Sequence, residues 1–297
     1  MAPYKKQHFL PLAYLGHFGR PPDAPLRERK IWRVSETHAG EVPVKTQCQE
    51  DYFYSKERAG LCESYFGGIE SVYARQMAAI GRGEKLTHEA LFNFFLCAVD
   101  FYARGCKFRG KDAQEEFAVY LQRMEIFKKH LISEGLQDAA DEARRRYILQ
   151  EWDFAIIPFP GAAVLTSDSP SIWLSSSATS NLLQGVLMPL TPRGCFVGAH
   201  RGSYRIVRGA ATDDDAVVVT RNEIENCVDA VYFADAFAES EITLIRRQLA
   251  KRTVPAAVPY GWQFELIDYD RNPNLSFLVP VSGQQKTTTP SPPSSEA

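Results

Sequence analysis

The chain has 297 residues, 45% of them hydrophobic and 24% charged, which is the composition of a folded protein rather than a disordered one. This length corresponds to one large domain or two small ones. The 34 Lys and Arg residues against 36 Asp and Glu leave a formal net charge of -2, so no overall field indicates a nucleic-acid or membrane partner. No apolar run approaches the roughly 20 residues that a membrane-spanning helix needs.

The six cysteines lack the spacing of a metal site. They form no Cys-x-x-Cys pair, and their separations match no zinc-binding pattern. The stretch from Lys5 to Phe18 superficially resembles an export signal, but two histidines, a proline and a glycine interrupt its apolar run, and no small-residue cleavage site follows. We therefore expect reduced thiols and a cytoplasmic protein.

Residue composition and apolar periodicity change along the chain. Residues 1–56 are aromatic-rich and contain one short strand candidate, at 31–34. Residues 57–151 combine good helix formers with a 3.6-residue apolar period, which predicts a bundle of roughly four helices, one of them capped by Thr87. From Trp152 onward, short β-rich runs between Pro, Gly, Ser and Asp clusters predict an antiparallel sheet. These runs are 154–159, 162–167, 171–176, 185–190, 195–200, 204–207 and 216–220.

The pattern in the C-terminal part again predicts a helix. Asn222 is the predicted N-cap of a helix over residues 222–252, with acidic residues in its first turn and basic residues at its end. A last strand candidate covers residues 262–270, and the Ser, Thr and Pro-rich residues 283–297 are expected to be a disordered tail. Together these elements predict an α+β fold, a single domain over residues 1–282 whose helical section packs on a mainly antiparallel sheet.

His8 is the first candidate site residue. It lies just ahead of a short helix that Pro11 is expected to initiate. A histidine can act as base, acid or metal ligand near neutral pH. The alternative is that His8 only caps or packs, and the residue type alone favours that alternative.

Glu63 and Glu70 form the second candidate. Seven residues along a helix correspond to a rotation of about 700°, so both carboxylates point to nearly one face, about 10.5 Å apart. Such a pair can hold a divalent metal or divide acid and base roles. A solvated helix face is the alternative.

Arg104 is the third candidate, because it ends a run whose only other charged residue is Asp100. An arginine tied to such a segment either forms a buried ion pair or clamps an anionic ligand. The i,i+4 spacing to Asp100 supplies an immediate structural partner. Both interpretations stay open at this point.

Ser167 and Asp168 form the fourth candidate, where an apolar strand runs into Ser-Asp-Ser-Pro. Pro170 biases the preceding residue toward an extended shape, so Asp168 is presented at a sheet edge in a fixed turn. Acids at strand ends are often catalytic or metal-binding. They also often form Asx-turns, in which the carboxylate accepts hydrogen bonds from its own local backbone.

The same segments, in this order, resemble the mostly bacterial family catalogued as domain of unknown function 4238. Its N-terminal mark is a His, an aromatic, an aliphatic and a Pro, then Tyr-Leu and an aromatic, here His8, Phe9, Leu10, Pro11, Tyr14, Leu15 and Phe18. Its most specific mark is a Trp, a β-run and a Ser-Asp-x-Pro turn, here Trp152, Ser167, Asp168 and Pro170.

Further marks of the family lie between and after these two. They are a tyrosine ahead of a helix with two spaced glutamates, a helix ending in arginine, a proline-flanked strand and an asparagine opening a late helix, here Tyr54, Glu63, Glu70, Arg104, residues 188–192 and Asn222. The chain departs from the family near Arg104, where Phe101 and Cys106 replace a frequent Gln and Pro. The resemblance implies a fold and a set of candidate positions, not a reaction.

One polar set emerges from the residues and the resemblance: His8, Glu63, Glu70, Arg104, Ser167 and Asp168. If these side chains meet in space, they suit hydrolysis at an anionic centre, most simply a phosphodiester or a nucleic-acid-like substrate. We expect catalytic roles for His8, Glu70, Arg104 and Asp168, and substrate contacts from Ser167 and Tyr54. A divalent ion, Mg²⁺ or Mn²⁺, is a possible cofactor on Glu63, Glu70 and Asp168.

The alternative is a non-enzymatic binding or interaction protein, in which the same residues form a buried structural network. Two expectations help to separate these classes. The N-terminal motif should pack against the Ser-Asp-Ser-Pro turn, with His8 within about 15 Å of Asp168, since the groups of one site must lie within direct or water-mediated reach. Basic segments at 144–146 and 246–252 either form a nucleic-acid patch or, as we favour, are solvated helix ends.

Overall fold

The computed structural model describes residues 6–51, 53, 59–104, 117–131, 140–174, 183–251 and 275–281. The chain is an α+β protein, as its sequence predicts. The helices in these ranges are α1 (Leu12–Leu15), α2 (Ala59–Gly81), α3 (His88–Arg104), α4 (Phe117–His130), α5 (Asp141–Glu151), α6 (Asp213–Asn226) and α7 (Glu239–Lys251). The strands are β1 (Lys6–His8), β2 (Lys30–Ser35), β3 (Ala39–Pro43), β4 (Gln49–Asp51), β5 (Trp152–Pro158), β6 (Thr166–Ser167), β7 (Ile172–Leu174), β8 (Gly185–Thr191), β9 (Gly194–His200), β10 (Tyr204–Ile206), β11 (Ala230–Phe233) and β12 (Leu278–Pro280).

The four helices predicted between residues 57 and 151 are present as α2 to α5. Thr87 caps α3 as expected, because its hydroxyl oxygen accepts a 3.1 Å hydrogen bond from the backbone N–H of Ala90. Most side chains of α3 from Phe92 to Arg104 are buried, since this helix contacts α2 and α4 on one side and strands β5 and β8 on the other. Helix α3 therefore joins the helical section to the sheet.

The strands pair antiparallel, as predicted, but they form more than one sheet. One four-stranded sheet has the order β5-β9-β8-β7 and another has the order β3-β2-β11-β6, while β1 pairs with β4 and β10 pairs with β12. The register between β8 and β9 shifts between Pro189 and Thr191. A proline has no backbone N–H to donate to a ladder, so this irregularity falls where pairing is weakest.

Three predicted elements differ in the structure. Residues 216–220 are not a strand but part of α6, and Asn222 lies inside that helix rather than capping it. The helix starts at a capping box in which Thr212 and Asp215 exchange hydrogen bonds. The predicted strand at 162–167 is only the two residues of β6.

Strand β11 separates α6 from α7, so the predicted single helix over 222–252 is two elements with a strand between them. The strand candidate at 262–270 and the tail at 283–297 lie outside the described residues. The single-domain boundary at residue 282 stays a prediction.

The N-terminal motif packs against the Ser-Asp-Ser-Pro turn region, as expected. The Tyr14 hydroxyl lies 2.7 Å from the hydroxyl of Thr166 and donates a 2.6 Å hydrogen bond to the carbonyl of Pro189. The largest hydrophobic cluster draws its side chains from the N-terminal segment, the helices and the sheet, among them Phe9, Phe95 and Trp152. Tyr14 therefore links the N-terminal segment to strands β6 and β8.

Candidate functional site

Arg104 is the centre of the first polar cluster, at the end of α3. Its side chain is fully buried, with 0% exposure. Both terminal nitrogens of the guanidinium donate to a single oxygen of Glu70, Nη2 at 3.1 Å and Nη1 at 3.3 Å. The Nε atom lies 3.3 Å from a carboxylate oxygen of Asp100, which is also buried. Arg104 is thus held between two carboxylates. Glu70 contacts the edge of the guanidinium formed by Nη1 and Nη2, and Asp100 contacts Nε.

Aromatic residues complete the surroundings of Arg104. The ring of Phe66 lies under the guanidinium, 4.3 Å from ring centroid to carbon, an arrangement that favours a cation. The hydroxyl of Tyr120 donates to the second oxygen of Asp100. A buried charge is tolerated best when it is paired and hydrogen-bonded. Glu70 and Tyr120 supply hydrogen bonds to Arg104 and Asp100, whereas the contact between Arg104 Nε and Asp100 Oδ2 is an ion pair without hydrogen-bond geometry.

Glu63 lies next to Arg104 and Glu70, on the same side of helix α2 as Glu70. Burial raises the pKa of Glu63 above its usual value, the charge of Glu70 adds to the rise, and Arg104 opposes it. Glu63 therefore holds its proton to a higher pH than a solvated glutamate does. Glu63 and Glu70 are therefore close enough for their charges to interact.

His8 reaches the same cluster from the N-terminal strand. Strand β1 pairs with β4, with His8 opposite Gln49, and the imidazole is half-buried. Burial lowers its pKa, while the charge of Glu70 raises it and that of Arg104 lowers it. Its Nε2 atom is buried and has no hydrogen-bond partner among the described residues. His8 is therefore a neutral imidazole at pH 7 with one ring nitrogen uncommitted within the described structure.

Asp168 belongs to a different part of the fold. Its side chain is 2% exposed, and its two oxygens accept backbone hydrogen bonds from Val228 at 2.8 Å, Asp229 at 2.7 Å and Ala230 at 3.3 Å. Burial raises the pKa of Asp168 to about 6, against the lowering by these N–H groups. The carboxylate thus secures the entry to β11. The structure does not show the expected Asx-turn, since the bonded N–H groups lie about 60 residues away rather than in its own turn.

Ser167 also has a buried partner on α6. Its hydroxyl donates a 2.7 Å hydrogen bond to Glu223, whose side chain is fully buried. One turn further along α6, the amide of Asn226 donates to the carbonyls of Ser169 and Ser171. Sequence reasoning missed Glu223 and Asn226. Both lie within the helix predicted over 222–252, where Glu223 was assigned to the acidic first turn rather than to a buried contact.

The sequence-predicted residues thus fall into two groups. His8, Glu63, Glu70 and Arg104 lie in one cluster, and Ser167 and Asp168 lie in the other, with Glu223 and Asn226. Within the described ranges, no group of three or more His, Cys, Asp and Glu side chains is placed to hold a metal ion, so Glu63, Glu70 and Asp168 do not form the expected ligand set. Tyr54 lies outside the described residues.

The basic segment at the start of α5 is paired with acids. Arg144 forms ion pairs with Glu125 at 3.0 Å and Asp141 at 3.6 Å, and Arg145 pairs with Glu89 and Glu142. Exposed pairs of this kind neutralise each other's field at long range. This arrangement favours solvated helix ends over a nucleic-acid patch.

The cysteines in the described ranges are buried, namely Cys48, Cys62, Cys97, Cys195 and Cys227. Burial raises the pKa of Cys48 well above its usual value, and the same cause acts on Cys97 and Cys195. A thiol that keeps its proton is a poor nucleophile and metal ligand. None of the helices in the described part of the chain is both long and apolar enough to span a bilayer.

Fold and site together define an α+β protein in which a cluster of ionisable side chains lies between a helical bundle and the N-terminal strand. The sequence profile of the family described as "Protein of unknown function (DUF4238)" matches residues 6–237. The chain belongs to that family. No curated protein and no solved structure matches the sequence.

Proposed function

We propose that the protein is a cytoplasmic hydrolase that acts on an anionic substrate, a phosphodiester or nucleic-acid-like group, at the cluster of His8, Glu63, Glu70 and Arg104. One observation carries this proposal. Burial lowers the pKa of His8 and raises the pKa of Glu63, which favours the neutral imidazole and the protonated carboxyl relative to the same groups in water. Neighbouring groups whose pKa values are displaced in these directions are typical acid–base pairs.

The chemistry assigns one role to each group. Neutral His8 accepts a proton from water as the water oxygen bonds to phosphorus. Protonated Glu63 donates its proton to the leaving oxygen as the old phosphorus–oxygen bond breaks. The guanidinium of Arg104 stabilises the charge that develops on the phosphoryl oxygens. Glu70 holds Arg104 in place before substrate binds.

Asp168 and Ser167 are left out of the chemistry in this proposal. Both are buried and already hydrogen-bonded to protein groups. Glu63 and Glu70 are the remaining carboxylates for a divalent ion, and two protein ligands suit Mg²⁺ or Mn²⁺ only when water and substrate oxygens complete the shell. Metal dependence therefore belongs in the test.

A second candidate is the non-enzymatic one, in which the polar residues only hold the fold together. The burial of Arg104 and Asp168, each with its hydrogen bonds to protein atoms, favours it. Under this alternative His8 is a packed side chain, and its replacement has no effect beyond stability.

The experiment is the hydrolysis of bis(p-nitrophenyl) phosphate and of short single-stranded oligonucleotides, in EDTA and then with Mg²⁺ or Mn²⁺. His8→Gln should lower the rate by about 100-fold or more, the usual contribution of a general base. His38→Gln is the matched control, because His38 is exposed in the turn between β2 and β3. No turnover by the wild type in any condition, or equal rates for both variants, would leave the structural alternative.

A further inference from the structure

The two carboxylates on Arg104 are not equivalent. Asp100 is 1% exposed and is itself fixed by Tyr120. Glu70 is 31% exposed, and the contact to Arg104 uses one of its two oxygens for both guanidinium nitrogens. The inner partner is locked, whereas the outer partner is a solvent-facing side chain that can rotate away.

The edge of Arg104 that Glu70 occupies is the edge suited to an oxyanion. A guanidinium presents its two terminal nitrogens as a fork that matches two oxygens of a carboxylate or phosphate. Glu70 fills this fork with a single oxygen, at 3.1 and 3.3 Å, which are long distances for charge-assisted hydrogen bonds. A phosphate group would use the same fork with two oxygens.

Charge gives a reason why substrate and Glu70 exclude each other. Asp100, Arg104 and Glu70 together carry two formal negative charges and one positive charge, so a further anion meets a like charge unless Glu70 leaves. Like charges placed side by side repel each other, so an anion and the Glu70 carboxylate do not share the guanidinium. The ion pair therefore closes the site to anions until a ligand takes its place.

We propose that Glu70 is a displaceable internal counter-ion that occupies the oxyanion subsite of Arg104 and yields it to a phosphate-bearing ligand. This inference rests on the proposed function, because it deepens the role of the same arginine. It names the ligand class as a phosphate mono- or diester. It also assigns Glu70 as a positioning residue that competes with the substrate rather than a residue that binds it.

The test is calorimetric binding of inorganic phosphate at constant ionic strength, with chloride as the balancing anion. Glu70→Gln should bind phosphate about tenfold more tightly than the wild type. Glu239→Gln is the matched control: it makes the same change in net charge at an exposed position on α7 and should bind as the wild type does. Arg104→Lys, which keeps the charge but removes the fork, should lose the gain when it is combined with Glu70→Gln.

Equal or weaker binding by folded Glu70→Gln, or no detectable binding by it, overturns the inference. If Glu70→Gln does not fold, Glu70→Asp replaces it. The shorter side chain withdraws the carboxylate from Arg104 by one methylene, so it should also bind phosphate more tightly than the wild type, and failure to do so overturns the inference. Tighter binding without any hydrolysis supports the inference and removes the proposed function. Hydrolysis by the wild type without tighter binding by Glu70→Gln supports the proposed function and overturns the inference.

Discussion

The hydroxyl of Tyr14 lies 2.7 Å from the hydroxyl of Thr166, although 152 residues separate them in sequence. Both side chains are fully buried, and the Tyr14 hydroxyl also donates to the Pro189 carbonyl. This contact fastens the N-terminal segment, which carries His8, to the sheet next to Ser167. The position of His8 against α2 and α3 therefore depends on a tertiary hydrogen bond outside the candidate site.

We predict that Tyr14→Phe lowers the free energy of unfolding by about 1–3 kcal/mol, because it leaves a buried hydroxyl and a carbonyl without their partner. Tyr73→Phe is the control. Tyr73 packs against the ring of Tyr14, yet its hydroxyl is buried with no hydrogen-bond partner among the described residues, so its removal should cost about 0.5 kcal/mol or less. Urea denaturation measures both, and equal losses would contradict the assigned role of the Tyr14 hydrogen bonds.

Asp168→Asn should destabilise the fold by about 1–3 kcal/mol, because an amide offers one acceptor oxygen where three backbone N–H groups need two. The nitrogen of the new amide is itself a donor and would face one of these backbone N–H groups. Asp229 lies on the loop whose backbone N–H groups bond to Asp168. Asp229→Asn removes only a surface ion pair with Arg33 and should cost about 1 kcal/mol or less. Thermal melting compares them. If Asp168→Asn melts with the wild type, the carboxylate does not secure the entry to β11.

Ser167→Ala should cost about 1–3 kcal/mol, since it withdraws a hydrogen-bond donor from the buried carboxylate of Glu223. Ser71→Ala is a suitable comparison. The exposed Ser71 hydroxyl donates only to the carbonyl of Gly67 in its own helix, so that change should be close to neutral. Chemical denaturation of the two variants tests the buried pair, and similar midpoints for both would count against it.

The paired arginines at the start of α5 predict weak nucleic-acid binding. Arg144 and Arg145 are matched by acidic neighbours, so no cluster of free positive charge draws in phosphates there. In fluorescence anisotropy at low salt, Arg144→Gln should bind a single-stranded oligonucleotide as the wild type does. Binding that weakens steeply as salt rises, and that Arg144→Gln removes, would show instead that these residues form a nucleic-acid surface.

Regular patterns allowed part of this structure to be predicted, and long-range contacts account for the rest. Helices α2 to α5 follow from a 3.6-residue period, and the i,i+7 spacing of Glu63 and Glu70 predicted that both carboxylates share one face of α2. Helix α6 was missed because a β-branched run at 216–220 favours a strand, although the capping box of Thr212 and Asp215 was present in the sequence. At residues 216–220, helix capping and tertiary packing therefore outweigh the β propensity of the sequence.

The roles of Ser167 and Asp168 could not be predicted for a different reason. Their partners, Glu223 and the N–H groups of residues 228–230, lie on segments about 60 residues away. No period or spacing relates such segments, because only the arrangement of β6 beside β11 and α6 brings them together. A buried acid at a strand end has the same sequence pattern whether it is catalytic or secures a loop.

The acid–base assignment of His8 and Glu63 is tested most directly by the pH dependence of phosphodiester hydrolysis, measured for the wild type, His8→Gln and Glu63→Gln. The wild-type rate should rise with pH as His8 loses its proton, at a pKa that burial lowers, and fall as Glu63 loses its proton, at a pKa that burial raises. His8→Gln should lose the rising limb and Glu63→Gln the falling limb. A wild-type profile without these limbs, or variants that keep both of them, would contradict the account.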